Sequence, residues 1–195
     1  MTQRYPLAGT EAVVVLLVVP ATGSFIRLRY DQGPIEKRFD SGRRRFRLRA
    51  SVASEVDFLR RCGARMAVIG SSLGGFYAMA VAERFGCPAV LLNPAVDPAR
   101  DLAAYIGEQT QFHTPEEHFF FEPAFVDELR ALHAGPLRQP ERFFAIIAKG
   151  DEVLDWREMV GRYPGAQIRL LEGSDHALSD FDTHIDSVIQ FLGLG

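Results

Sequence analysis

Three short apolar runs, at residues 66–69, 89–92 and 143–148, constrain this chain more than any other feature. Each is too short for a stable helix and apolar at successive positions. Each therefore reads as a strand buried on both faces. Residues 12–19, rich in valine, read the same way, and residues 167–171 form a further strand. Helical spacing fills the intervals. Val52, Val56 and Leu59 open a helix that Gly63 stops. Residues 73–85 form a helix with Gly86 at its end and Pro88 beyond it. Helices are also expected over 99–106, 123–133 and 155–163, and Phe181, Ile185, Val188, Ile189 and Leu192 line one face of a last one. Residues 25–30 alternate like a second strand, and 107–121 read as irregular and aromatic. Strands alternating with helices predict an α/β fold, a mostly parallel sheet with helices on both faces. One domain over 1–195 is expected, with 1–50 atypical and 107–140 a lid or insert. In such a sheet, functional groups gather at the carboxyl ends of the strands.

Composition narrows the function classes. With 195 residues and 47% hydrophobic content, the chain can build a core without disulfides. Cys62 and Cys87 form no CxxC pattern and suit a reducing compartment, so a cytoplasmic location is expected. No metal or other cofactor is expected. The longest apolar run, 12–21, falls short of the ~18 residues of a membrane span. Although a signal peptide also begins with such a run, Glu11 borders this one and the basic flank is weak, so the strand is preferred. The net charge of −3 is uneven. Residues 1–50 hold ten Lys/Arg against four Asp/Glu, and the remainder twelve against twenty-one. The basic run from Lys37 to Arg49 lacks a recognised nucleic-acid fold and a clear interleaved stacking platform, so nucleic acid is not an expected partner.

The most informative motif is Gly70-Ser71-Ser72-Leu73-Gly74, a G-x-S-x-G pattern lying between an apolar strand and a helix. That is the setting of a nucleophile elbow. Its glycines let neighbouring backbone approach closely, and Ser72 projects its hydroxyl at the sheet's edge. The N–H of Leu73, at the helix N-terminus, is placed to donate to a developing oxyanion. A Walker-type phosphate loop needs a lysine after its last glycine, and Phe76 follows Gly75 here.

A serine hydroxyl needs a base to take its proton. Of five histidines, His176 follows the strand 167–171 in a loop before the last helix. His113, His118 and His133 lie in the middle segment, and His184 lies within the last helix. The base in turn needs a carboxylate. Asp151 comes directly after the strand 143–148, with Glu152, Asp155 and Asp175 as rivals. Asp155 reads as a helix cap, and Asp175 adjoins His176 and should point away from it. The chain order Ser72, Asp151, His176 is that of α/β-hydrolases.

Residues 66–194 resemble the YqiA-type esterases, a small α/β-hydrolase family. The matching stretches are Ile69-Gly70-Ser71-Ser72-Leu73-Gly74-Gly75-Phe76-Tyr77-Ala78, Leu92-Asn93-Pro94-Ala95-Val96, Gly150-Asp151-Glu152-Val153-Leu154-Asp155, His176-Ala177 and Phe191-Leu192-Gly193-Leu194. The resemblance implies an α/β-hydrolase-like sheet with a minimal lid. It implies action on a small-molecule acyl ester or thioester without a metal. The family's nucleophile, acid and base fall on Ser72, Asp151 and His176. The oligomeric state is not readable.

The first quarter departs from this pattern. Family members follow their first strand with a His-Gly-Phe loop that supplies a second oxyanion N–H. Here Pro20-Ala21-Thr22-Gly23 follows instead, and Ala21, Thr22 and Gly23 are the candidates for a substitute donor. A shifted reading frame or wrong start accounts for this as well as genuine divergence does. A catalytically impaired relative that only binds acyl ligands is the alternative expectation. Phe112, Phe119, Phe120, Phe121 and Phe125 would line an acyl pocket or lid, with ordinary core packing an equal account.

Overall fold

The computed structural model describes residues 12–18, 65–110 and 118–193. The expected strand at 25–30 and the expected helix after residue 51 lie outside these residues. Five strands form the main sheet: β1 (Ala12–Val18), β2 (Arg65–Ser71), β3 (Ala89–Leu92), β6 (Phe143–Ala148) and β7 (Gln167–Leu171). Their spatial order is β1-β2-β3-β6-β7, and every neighbouring pair is parallel. The register aligns their carboxyl ends. Ser71 lies opposite Val18 and Leu92, Leu92 opposite Ile146, and Ala148 opposite Leu171.

Strand period divides the core between the two faces. Leu91, Ala145 and Ile147 point to one side, where they pack with Phe76 and Met79 of α1 (Leu73–Phe85). Val126 and Leu129 of α3 (Pro123–Leu132) and Met159 of α4 (Trp156–Arg162) complete that layer. Val90, Leu92, Phe144, Ile146 and Ala148 point to the other side, against Leu178 and Val188 of α5 (Ile185–Leu192). Every residue of β6 is buried, as expected of a strand covered on both faces. Among the described residues, no helix is long and apolar enough to cross a membrane.

The bounds of α1, β3, β6 and β7 are those expected from the sequence. Two regions differ. The helix expected over 99–106 starts at Pro98 as α2 (Pro98–Leu102), because Asp97 caps it by accepting the Arg100 N–H at 3.1 Å, and it tightens to a 3₁₀ turn over Ala103–Tyr105. The segment 107–121, expected to be irregular, contains β4 (Gly107–Thr110) and β5 (His118–Phe121), an antiparallel pair with Gly107 opposite Phe121. Backbone pairing makes these strands, since Glu108-Gln109-Thr110 carries no apolar alternation to announce one.

Tyr163 at the end of α4 is fully buried, and its hydroxyl has no hydrogen-bond partner among the described residues. Burial pushes the phenol's pKa up, with Arg162 opposing. An unsatisfied buried hydroxyl costs about 1–3 kcal/mol. Tyr163→Phe is therefore expected to stabilise the fold by roughly 1 kcal/mol. In thermal unfolding, this would raise Tm by about 2–4 °C. An equal or lower Tm would contradict that reading of Tyr163.

Candidate active site

β2 ends at Ser71 and α1 begins at Leu73, so Ser72 alone turns the chain. Its φ of 54° and ψ of −124° lie where a non-glycine residue is strained by about 1–3 kcal/mol. Backbone bonds hold the turn. The Ser72 N–H donates to the Leu92 carbonyl at 2.9 Å, and the Ser72 carbonyl accepts from the N–H groups of Gly75 and Ala95, both at 2.9 Å. A Cβ at Gly70 would stand 2.1 Å from the Gly74 carbonyl oxygen. At Gly75 it would stand 2.6 Å from Pro94 Cβ. The strand, helix and following turn thus pack too closely for any side chain at either position. The Ser72 side chain does not cap α1, which leaves its hydroxyl for another partner.

That partner is His176. Its Nε2 lies 3.0 Å from Ser72 Oγ, and its Nδ1 lies 2.8 Å from Asp151 Oδ2 and 3.0 Å from Oδ1. Three residues distant in sequence thus form one hydrogen-bonded chain across the carboxyl ends of β2, β6 and β7. The loops after β6 and β7 meet because Gly150 lacks a Cβ. One there would lie 2.1 Å from the Ser174 carbonyl oxygen. Asp151 Oδ1 also accepts the N–H groups of Val153 and Leu154, each at 2.8 Å.

The electrostatics follow from these contacts. Burial pushes the Asp151 carboxyl up, but hydrogen bonds from His176, Leu154 and Val153 outweigh it and hold the group below its ordinary value. The Asp151 hydrogen bond raises His176 against an opposing effect of burial, and the negative charges of Asp151, Glu152 and Asp175 add to the rise. The ionised Asp151 selects the tautomer in which Nδ1–H donates to it, leaving Nε2 to accept from Ser72.

The rival carboxylates have other partners. Asp155 caps α4, accepting the Arg157 N–H at 2.9 Å. Asp175 accepts from the N–H and hydroxyl of Ser179. Glu152 accepts the main-chain N–H of His176 at 3.0 Å. Leu73 is the first residue of α1 and carries one of the N–H groups that a helix start leaves without an intrahelical partner. Ala21 and Thr22, the candidates for a second oxyanion donor, lie outside the described residues. On β5, Phe121 packs edge-on against Phe125 at 5.5 Å and joins the core, while Phe120 is 61% exposed. Phe119 is on the same strand, and its side chain lies outside the described residues, as does Phe112. Among the described residues, no group of three or more His, Cys, Asp or Glu is placed to hold a metal ion.

Asn93 belongs to no catalytic motif of the sequence. It is fully buried, with φ of 39°. Its Nδ2 donates to the carbonyls of Asp175 at 2.9 Å and His176 at 3.1 Å, and its Oδ1 accepts the Ala148 N–H at 2.8 Å. A polar residue closing an apolar strand and followed by proline was the available signal.

A parallel sheet covered on both faces, with an elbow after β2, defines the α/β-hydrolase fold, and solved structures agree. The esterase domain of a Rhodothermus marinus protein matches with a TM-score of 0.57 at 19% identity, covering 98% of this chain and 88% of that one. An esterase of Pyrococcus furiosus matches at 0.54 with 13% identity, over 93% and 83% of the two chains. Mouse alpha/beta hydrolase domain-containing protein 10 matches at 0.53 with 20% identity, over 71% and 68%.

Residues 48–193 match the uncharacterised protein family UPF0227, and the chain belongs to that family. A UPF0227 protein of Yersinia enterocolitica is 24% identical over 147 residues, 74% of this chain and 75% of its own length. One from Yersinia pseudotuberculosis is 24% identical over 129 residues, 66% of this chain and 65% of its own. The chain thus spans about two thirds of the latter's length. The family match covers nearly all of residues 66–194, the stretch whose sequence resembles the YqiA-type esterases, and begins eighteen residues before it.

Proposed function

We propose that this chain is a serine esterase that hydrolyses small acyl esters through an acyl-enzyme, with acyl thioesters as the alternative substrates. The observation that carries this reading is the continuous chain from Ser72 Oγ through His176 to Asp151. His176 Nε2 takes the Ser72 proton as Oγ attacks the acyl carbonyl carbon. The Leu73 N–H donates to the oxyanion, and Ala21 or Thr22 is proposed as the second donor. Imidazolium then gives its proton to the leaving oxygen or sulfur, and the C–O or C–S bond breaks. Water, deprotonated by His176, attacks the acyl-enzyme and releases the acid and free Ser72. No metal or other cofactor is needed to generate this nucleophile. Phe119, Phe120 and Phe121 are the candidates for contact with the acyl chain, and the Phe120 ring is exposed.

The base must be neutral to act. Because Asp151 raises His176, kcat/KM is expected to climb with pH along a limb whose midpoint lies above the ordinary histidine value of 6.5. Glu152→Gln keeps an oxygen for the His176 N–H and removes a negative charge, so its limb should move to lower pH. A limb at or below the ordinary value, unmoved by Glu152→Gln, would contradict this electrostatic account.

Hydrolysis of short and long acyl p-nitrophenyl esters, compared with acyl-CoA, tests the substrate class. Turnover of the esters that vanishes in Ser72→Ala supports the reading. Tight acyl binding without turnover would favour the impaired, ligand-binding alternative. The start of the family match at residue 48, beyond the first strand and its loop, is the observation that keeps that alternative in play.

A further inference from the structure

We propose that Asn93 is a positioning residue that fixes the catalytic stance of His176 by gripping its main chain; this rests on the serine-esterase reading above. The His176 peptide is held on both sides. Its N–H donates to Glu152 Oε2 at 3.0 Å, at the exposed side of the loop. Its carbonyl accepts from Asn93 Nδ2 at 3.1 Å, at the buried side. Asn93 also binds the preceding carbonyl, that of Asp175, at 2.9 Å. Both amide protons are therefore committed to the two carbonyls that flank the His176 Cα.

The same side chain reaches the acid's strand. Asn93 Oδ1 accepts from the Ala148 N–H, the last residue of β6, and the Asn93 N–H donates to the Ile146 carbonyl at 3.0 Å. Asp151 follows three residues after Ala148. One buried amide thus references the base's loop to the strand that presents the acid. Water cannot take over these bonds cheaply, because Asn93 has no exposed surface. Its φ of 39° suits asparagine and glycine better than other residues.

Asn93→Gly is the variant of choice, since it deletes the amide without straining the backbone. Displacing a reacting group by about 1 Å costs on the order of 10²-fold in rate. Labelling of Ser72 by a fluorophosphonate is therefore expected to slow about 10²-fold in Asn93→Gly. Asn93→Asp, which keeps the acceptor for Ala148 but faces two carbonyls with a carboxylate, should lose at least as much. In a His176→Ala background, neither change should slow labelling further, because nothing remains to position. A loss that persists in that background would show a general structural role and overturn the proposal, as would wild-type labelling by either variant. The proton NMR signal of the His176 Nδ1–H reads the same point without turnover. It should be sharp and far downfield in the wild type and broadened or lost in folded Asn93→Gly. An unchanged signal overturns the proposal even if the wild type proves unreactive, a result that would count against the esterase reading alone.

Discussion

Ser72→Ala is expected to reduce ester turnover on the order of 10⁶-fold. The second half of this prediction concerns stability. Ser72 holds φ 54° and ψ −124°, so the strain belongs to the backbone and remains when only the hydroxyl is removed. Ser72→Gly should be equally inactive yet more stable than Ser72→Ala by about 1 kcal/mol, since only glycine relaxes in that region. Thermal unfolding of the pair isolates this strain. An alanine variant as stable as the glycine variant would mean that the elbow stores none.

Asp151→Asn carries the second largest expected effect, about 10⁴-fold in turnover, with the fold kept. The reason lies in the local hydrogen bonds. Asp151 Oδ1 accepts two backbone N–H groups, from Val153 and Leu154. An asparagine must place its carbonyl oxygen there, which puts its NH₂ where Oδ2 now lies 2.8 Å from His176 Nδ1. That NH₂ is a donor, so Nδ1 becomes an acceptor and the ring proton moves to Nε2. Nε2 then cannot accept the Ser72 proton. Steady-state kinetics of Asp151→Asn with folded protein tests this. A loss of only a few-fold would mean that another carboxylate supports the base. Glu152 would be the first suspect, because it already touches the His176 main chain.

Where the chain announced its structure, the announcement was local. α1 was legible because Gly70 and Gly74 bracket its start and Gly86 ends it, with φ of 68° and an N–H donated to the Ala82 carbonyl. β3 and β6 were legible because both faces are buried and their ends carry Asn93-Pro94 and Lys149-Gly150. Asp155 read as a cap and is one. The hairpin of β4 and β5 was not legible, since Glu108-Gln109-Thr110 gains its strand form from pairing with a phenylalanine-rich partner rather than from its own pattern. In the candidate site, Ser72, Asp151 and His176 could be named because each follows a recognisable strand. Asn93 and Glu152 could not be given their roles, because those depend on main-chain atoms in a loop 82 and 24 residues away. Side chain to backbone bonds of that range leave no spacing to read. Ala21 and Thr22 are candidates only as substitutes for the His-Gly loop that the family resemblance implies, and they lie outside the described residues.

Mapping the adduct of a fluorophosphonate probe by mass spectrometry tests the central claim most directly. The account predicts one adduct, on Ser72, formed by folded protein and strongly slowed in His176→Ala. Folded protein that stays unlabelled, or that carries the adduct on another residue, would contradict it.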